Sequence, residues 1–199
     1  MNDSVAVERL AAADLPAVAS GLGALLVDAV DDGASVGFTS ALTPEEAAAW
    51  WSDLAPALAD DRIAVWTARD GDRLVGTVQL RCESSPNGRH RAEIAKLVVH
   101  RAARGRGIAR RLLTTAEEFA GSSGRTLLML DTQTGSTAER LYRSAGWTPL
   151  GTVPDYAADP AGVLRPTTFF HKILLPAPPA AQGSERSVEL TGPQPGLEA

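Results

Sequence analysis

Arginine and glycine are concentrated in one short segment of the chain. Five arginines fall within positions 101–111, and glycines stand among them at Gly105 and Gly107. An apolar run precedes the segment, and a helical pattern begins at Gly107. The first amides of a helix lack partners within the helix and lie at its positive end, and glycine lets a ligand approach the backbone closely. The pattern predicts a pyrophosphate site to which the arginine side chains also donate.

Two well-known nucleotide loops do not fit this segment. A Walker A loop needs Gly-Lys-Ser/Thr, and the segment contains no lysine. A Rossmann fingerprint needs three glycines at the start of a parallel unit, whereas Gly105-x-Gly107 is followed by Arg110 and comes after a predicted meander. The structural alternative is a helix with a solvated basic first turn. Because basic residues there oppose the helix dipole, that arrangement offers little stability.

Composition and charge limit the kinds of partner. The chain has 199 residues and a net charge of −5, from 24 acidic and 19 basic residues. An acidic chain is a poor nucleic-acid binder, so its local basic segment favours a small anionic ligand. Cys82 is the only cysteine, and no Cys/His spacing is typical of zinc, so we expect neither a disulfide nor a metal. The apolar runs are shorter than a membrane span and the N-terminus lacks a signal-peptide pattern, so we expect a cytoplasmic protein with no membrane partner.

Hydrophobic periodicity predicts the elements that must position the segment. The order is a strand, two helices, three strands, a helix, a strand, a helix and two strands, which predicts an α/β fold with a mixed sheet and helices on both faces. A Pro/Gly-rich loop at 154–166 is predicted between the last two strands. Residues 1–175 form the predicted domain, and residues 176–199, with five prolines and three glycines, a disordered tail. The strands are predicted at 5–10, 62–67, 74–80, 92–100, 126–130, 147–153 and 167–175, and the helices at 14–30, 43–59, 107–120 and 136–145.

The segment Arg104-Gly105-Arg106-Gly107-Ile108-Ala109 resembles the Arg/Gln-x-x-Gly-x-Gly/Ala signature of the GNAT acetyltransferase superfamily. The order of elements from Val5 to Leu175 is similar to a GNAT domain as well. The resemblance implies a mostly antiparallel sheet of about seven strands, acetyl-CoA as cofactor, and a strand before the loop that pairs with the pantetheine arm. The residues it assigns to coenzyme A are Leu97, Val98, Val99, Arg104, Gly105, Arg106, Gly107, Ile108, Ala109, Arg110, Thr132 and Ala138.

Four further segments are similar to the tabtoxin-resistance type within that family. They lie at 90–93, 130–132, 135–139 and 166–172. The similarity implies direct transfer of an acetyl group, in a ternary complex, to the amine of a small molecule such as an amino-acid-like antibiotic or toxin. A protein or peptide N-acetyltransferase and a non-catalytic acyl-CoA sensor share the cofactor motifs, so both remain open. A monomer and a homodimer are also both open.

Acetyl transfer to an amine needs a base for the amine proton, donors for the carbonyl oxygen and an acid for the departing thiolate. The phenol of Tyr142 is protonated at neutral pH, and the resemblance places a tyrosine at this position beside the thioester sulfur. Core packing is the alternative for Tyr142. Glu93 and Asp131 are the predicted bases. The alternatives for these two are a salt bridge from Glu93 to Arg91 or Lys96, and an Asp131 cap on the turn that follows it.

The acceptor side of the site is predicted from the family resemblance alone. In a GNAT fold the first helix pair and the last hairpin loop enclose the acceptor, and here these correspond to 35–38, the Trp50-Trp51 pair and 154–168. We expect both tryptophans in the core because they continue the buried face of their helix. The predicted acceptor contacts are Phe38, Asp155 and Tyr156.

Overall fold

A computed structural model describes residues 5–174, so the predicted tail at 176–199 lies outside the described residues. Within them, seven strands form one sheet in the order β1-β2-β3-β4-β5-β7-β6, and only β4 and β5 run parallel. The mixed, mostly antiparallel seven-stranded sheet is therefore confirmed. The strands are β1 (Val5–Arg9), β2 (Ile63–Asp70), β3 (Arg73–Cys82), β4 (Arg91–Val99), β5 (Leu127–Gln133), β6 (Thr148–Ala158) and β7 (Leu164–Ile173). The helices are α1 (Leu15–Asp31), α2 (Pro44–Ser52), α3 (Ala55–Ala59), α4 (Ile108–Ser122) and α5 (Thr137–Ser144).

Helices cover both faces of the sheet, as the sequence predicts. Alternate side chains of β2 point to opposite faces, so Val65 packs with α1 and α2 while Trp66 packs with α4. On the α4 side Leu112 is fully buried, and on the α1 side Leu22 is fully buried. Burial of each such leucine contributes roughly 2 kcal/mol to folding. The two cores hold β4 between them, which places the strand before the arginine–glycine loop at the centre of the molecule.

One apolar segment is longer than the sequence pattern predicts. Ala12–Asp31 has the length and composition of a membrane span, so the expectation that every apolar run falls short of one is wrong. In the fold most of this segment is α1, whose side chains Leu22, Leu25 and Leu26 are buried in the core shared with α2.

The predicted helix at 43–59 is two helices. Its start is confirmed, because the Thr43 side chain and the Glu46 side chain each bond to the other's backbone amide in a capping box. The helix then ends at Ser52, and α3 begins at Ala55. Pro56 has no amide hydrogen to donate to the Ser52 carbonyl four residues earlier, and its ring crowds that carbonyl, so the chain turns.

The predicted loop at 154–166 is mostly strand, so that prediction is wrong. β6 continues to Ala158 and β7 begins at Leu164, leaving only a short turn between them. β6 lies at the edge of the sheet, and Pro154 falls in a stretch of it that has no pairing partner on β7. The register between β6 and β7 shifts between Val153 and Ala157, and Asp155 in this stretch has a φ of 49°. The bulge therefore accommodates the proline within a long hairpin.

Candidate active site

The main cleft opens where the two parallel strands separate. β4 and β5 are paired only over Arg91–Glu93 and Leu127–Met129, although both strands continue beyond these residues. A bulge in β4 contributes to the separation, because two of its residues, Lys96 and Leu97, lie opposite Val78 of β3. The resulting cavity has a volume of about 800 Å³, within the range of small-molecule sites.

The start of α4 forms one end of this cleft. Gly105 and Gly107 both have φ near +75°, a conformation that favours glycine, and Gly107 is the N-cap residue of α4. No side chain caps the helix, so the first amides of α4 keep their capacity to donate to a ligand. The predicted strand and loop residues that line the cleft here are Leu97, Val98, Val99, Arg104, Gly105, Gly107, Ile108, Ala109 and Arg110. The local sequence therefore brings an uncapped helix start and two positive-φ glycines to one end of the cleft.

Two arginines of the loop pair with carboxylates on α1 and just after it. The Arg101 guanidinium lies 2.6 Å from Asp28, whose carboxylate also accepts from the Arg101 amide. These bonds lower the pKa of Asp28 against the opposing effect of its partial burial. Arg104 pairs with Asp32, and its Nε donates to the Val99 carbonyl over 3.2 Å. Exposed pairs of this kind add at most about 1 kcal/mol to stability, so their main effect is to hold the loop against the end of α1.

Two further arginines differ in how close they lie to the cleft. Arg106 forms an ion pair of 2.6 Å with Asp70, at the β2–β3 turn, and does not line the cleft. Arg110 lines the cleft and donates to the Ser144 hydroxyl over 2.6 Å, linking α4 to the end of α5. The arginines that the sequence suggests for a phosphate are therefore divided. Some line the cleft, and others form structural ion pairs.

Tyr142 borders the middle of the cleft from α5. Its ring packs against Trp147 and Phe170, with centroids 6.0 and 6.2 Å away, and only 6% of the residue is exposed. Burial raises the pKa of the Tyr142 phenol, and the negative charge of Asp131 raises it further. The phenol therefore stays protonated throughout the physiological range. The Tyr142 ring also packs in the core, as the structural alternative predicts. This packing fixes the ring, and the residue still lines the cleft.

The turn before α5 sets the position of Tyr142. The Ser136 hydroxyl accepts from the Glu139 amide over 3.0 Å, and Glu139 accepts from the Gly135 amide. Thr132 and Ser136 place their hydroxyls 3.4 Å apart. The turn is closed without Asp131, so the capping role considered for that residue is not what the structure shows.

Asp131 and Glu93 lie on the two strands that flank the cleft, and both line it. Asp131 is an exposed residue of β5 whose carboxyl faces the cleft. Desolvation by the walls of the cleft raises its pKa, while the cationic side chains of Lys96 and Arg81 oppose the shift. Glu93 pairs with Arg81, its cross-strand neighbour on β3, at 3.5 Å, and with neither Arg91 nor Lys96. Of these two carboxylates, Asp131 is therefore the one without an ion-pair partner among residues 5–174.

Lys96 is a cleft residue that the sequence analysis did not place in the site. It sits at the β4 bulge with a φ of 49°, and its Nζ lies 5.2 Å from the ring of Trp50 and 5.7 Å from that of Phe38. The pKa of Lys96 is lowered to about 8, mainly by burial and also by the positive charge of Arg81, while Glu93 and Asp131 act in the opposite sense. The available signal was a lysine within the apolar stretch 94–98 of a strand.

The predicted acceptor contacts do not all reach the cleft. Tyr156 lines it, half exposed, with its ring edge-on to Phe169 at 5.1 Å. Phe38 packs edge-on against Trp50 at 5.5 Å, one side chain removed from the cleft through Lys96. Asp155 precedes Tyr156 in the β6 bulge and does not line the cleft. Trp51 is fully buried as predicted, whereas Trp50 is only partly buried.

The sequence model of the Acetyltransferase (GNAT) family matches residues 27–147, more than half of the chain. The chain belongs to the GNAT acetyltransferase family. The matched part of this GNAT chain includes β4, the arginine–glycine loop, α4 and Tyr142. The predicted family assignment is therefore confirmed.

Solved structures share the fold of this GNAT chain. A ribosomal-protein-alanine N-acetyltransferase from Brucella melitensis is 26% identical with a TM-score of 0.67, over 85% of this chain and 99% of that one. The Salmonella typhimurium protein yncA, solved with its cofactor acetyl-CoA, is 19% identical with a TM-score of 0.68, over 89% of this chain and 99% of that one. Rat N-acetyltransferase 8B is 35% identical over 96 residues, which are 47% of this chain and 43% of the rat protein. The chain thus matches less than half the length of this curated relative.

Acetyl-CoA is the acetyl donor of the GNAT family, and the cleft fits it in two respects. From Ile94 onward β4 has β3 on one side and the cleft on the other, so its backbone amides and carbonyls on the cleft side are not used by β5. This edge suits the amides of a pantetheine arm, and the uncapped start of α4 suits a pyrophosphate. The predicted residues Thr132 and Ala138 also line the cleft.

Lys96 makes the stability of this GNAT chain depend on pH in the alkaline range. The folded-state pKa of about 8 lies below the ordinary value of 10.5, so between these two pH values the unfolded chain binds more protons than the folded chain. The free energy of unfolding therefore rises with pH across this window, by at most about 1.4 kcal/mol per pH unit. Thermal unfolding should show the wild type gaining stability relative to Lys96→Met between about pH 8 and 10.5. A constant difference across that window would contradict the shift.

Proposed function

We propose that this chain transfers the acetyl group of acetyl-CoA directly to the amine of a small molecule, in a ternary complex without a covalent enzyme intermediate. The observation that supports this proposal is that Tyr142 and Asp131 line the same cleft. Burial keeps Tyr142 protonated, and within the described part of the chain Asp131 has no ion-pair partner. That cleft runs to the start of α4, where the arginine–glycine loop lies. A proton donor, Tyr142, and a proton acceptor, Asp131, therefore lie in the cleft that would bind acetyl-CoA.

The residues of the cleft supply what the reaction needs. Bound acetyl-CoA brings the thioester carbonyl and the thiol leaving group. Asp131 accepts the proton of the attacking amine, directly or through a water, and Glu93 is the second candidate for this role. A backbone amide of Leu97–Val99 donates to the carbonyl oxygen as negative charge develops there. Tyr142 holds a proton at its Oη and gives it to the departing thiolate.

The acceptor is proposed to be an amino-acid-like antibiotic or toxin, which would make the protein a cytoplasmic resistance or self-protection enzyme. This rests on the similarity of 90–93, 130–132, 135–139 and 166–172 to the tabtoxin-resistance type. Phe38, Asp155 and Tyr156 remain the proposed acceptor contacts, with Tyr156 the one that lines the cleft. No nucleic-acid or membrane partner is part of the proposal, and the assembly is a monomer or a homodimer.

A protein or peptide N-acetyltransferase is the second candidate function. The similarity to the ribosomal-protein-alanine N-acetyltransferase of Brucella melitensis supports it. The two functions share the donor site and differ only in what enters the acceptor end of the cleft. Parallel assays with free amines and with short peptides that have free N-termini separate them.

Transfer is tested by thiol release from acetyl-CoA with a panel of amines and peptides, with products identified by mass spectrometry. With the best acceptor, we expect Asp131→Asn to lower kcat by about 100-fold, as for loss of a general base. Glu93→Gln is the matched control, because Glu93 lies on the opposite strand and is already paired with Arg81. A larger loss in Glu93→Gln would assign the base to Glu93 instead. A chain that binds acetyl-CoA but acetylates no acceptor would contradict the proposed function and favour an acyl-CoA sensor.

A further inference from the structure

A cluster of mutually interacting charges of both signs lines the cleft. Arg81 and Lys96 are the cations, and Glu93 and Asp131 are the anions. Arg81 and Glu93 form an ion pair of 3.5 Å. Lys96 and Asp131 attract each other, yet among residues 5–174 neither has an ion-pair partner within 4.0 Å. One positive and one negative charge are therefore left for a ligand within this cluster.

The Lys96 ammonium is held in place by its surroundings. The left-handed backbone at the β4 bulge sets the direction of the side chain, in a conformation that costs a non-glycine residue about 1 kcal/mol or more. The faces of Trp50 and Phe38 lie within 5.7 Å of Nζ and stabilise a cation. Gly37 leaves room for it, since a Cβ there would stand 3.2 Å from Nζ. Three separate elements thus converge on one ammonium.

A partly buried ammonium with no anion within ion-pair distance is costly to the protein unless a ligand supplies one. The aromatic faces compensate only in part, because they supply no hydrogen-bond acceptor of full charge. Lys96 is still mostly protonated at pH 7, since its pKa is about 8. An anionic group on the acceptor would supply the missing partner.

We propose that Lys96 binds a carboxylate of the acceptor, so that the acceptor is an amino acid or another amino carboxylate whose amine is directed to Asp131. The inference rests on the proposed function and narrows its substrate class. It makes Lys96 a specificity-determining residue, with Arg81 beside it as a second cation that Glu93 partly neutralises. A simple diamine would instead bring a second positive charge towards Lys96 and be disfavoured.

Matched pairs of acceptors test the inference: each amino acid is compared with the amine that lacks its carboxylate. Suitable pairs are L-ornithine with putrescine, L-lysine with cadaverine, and L-phenylalanine with 2-phenylethylamine. We expect the wild type to show a kcat/KM about 10- to 100-fold higher for the carboxylate member of the pair it uses best, as for one charge-assisted hydrogen bond. Lys96→Met should lose this preference through a higher KM for the amino acid, with KM for the matched amine unchanged or lower.

The only other lysine of the chain provides the control. Lys172 bonds to Glu117 over 2.6 Å and to the Ala145 carbonyl, so Lys172→Met should reduce stability while the acceptor preference stays that of the wild type. A preference that survives in Lys96→Met, or an equal or better use of the decarboxylated amines, would overturn the inference and leave the proposed function standing. Mass spectrometry of the protein incubated with acetyl-CoA alone gives a further check, because acetylation of Lys96 itself would also overturn it. Absence of transfer to every member of these pairs and of the amine and peptide panel, with acetyl-CoA bound, would instead overturn the proposed function.

Discussion

Replacing Tyr142 by phenylalanine should lower kcat about 100-fold while leaving the affinity for acetyl-CoA within a few-fold of the wild type, because a proton donor to the leaving group acts mainly in the transition state. The ring contacts with Trp147 and Phe170 involve no hydroxyl, so the fold should tolerate the change. Steady-state kinetics with the best acceptor, together with calorimetric titration of acetyl-CoA, measures both effects.

The only other tyrosine gives a comparison for that experiment. Tyr156 is half exposed on β6 and lines the cleft, and it is a proposed acceptor contact, so Tyr156→Phe should alter KM for the acceptor more than kcat. Thermal unfolding of both variants separates catalytic loss from loss of structure. An unchanged kcat in Tyr142→Phe would remove the acid role and leave Tyr142 as a core residue.

A carboxylate at Gly107 should reduce the affinity for acetyl-CoA by about 100-fold or more, because a negative charge near a bound pyrophosphate is repelled by several kcal/mol. Gly107 is the N-cap of α4, its φ is 73°, and nothing lies within 4 Å of a Cβ placed there. Aspartate tolerates this backbone conformation better than most residues and is favourable at the positive end of a helix. Gly107→Asp should therefore fold, and titration with acetyl-CoA measures the loss.

Gly107→Asn is the matched control, since asparagine has nearly the same shape and the same tolerance of a positive φ without the charge. Its affinity for acetyl-CoA should stay much closer to the wild type than that of the aspartate variant. Melting temperatures should rank aspartate equal to or above asparagine, because the charge favours the helix start. Equal affinities in the two variants would show that the pyrophosphate binds elsewhere.

The sequence by itself determined those parts of the protein that depend on neighbours along the chain. Gly107 and the arginines around it mark the start of α4, since backbone freedom and uncapped amides are local properties. The same holds for the capping box at Thr43 and for the alternation that predicts most strands. These features, with the family resemblance, were enough to predict the fold. The structure places the arginine–glycine loop and Tyr142 at one cleft, and their roles as donor site and acid stay predictions.

Only the tertiary structure decided which charged side chains lie close together and which strands lie side by side. Lys96 enters the site because β4 bulges against β3 and because Trp50 and Phe38 come from more than forty residues earlier in the chain. Asp28 and Asp32 engage arginines of the loop across a comparable distance. Pro154 stays within a strand because β6 lies at a sheet edge, and no local pattern shows which edge a strand will occupy. Such contacts arise from the packing of distant segments, whereas propensity and spacing report only on near neighbours.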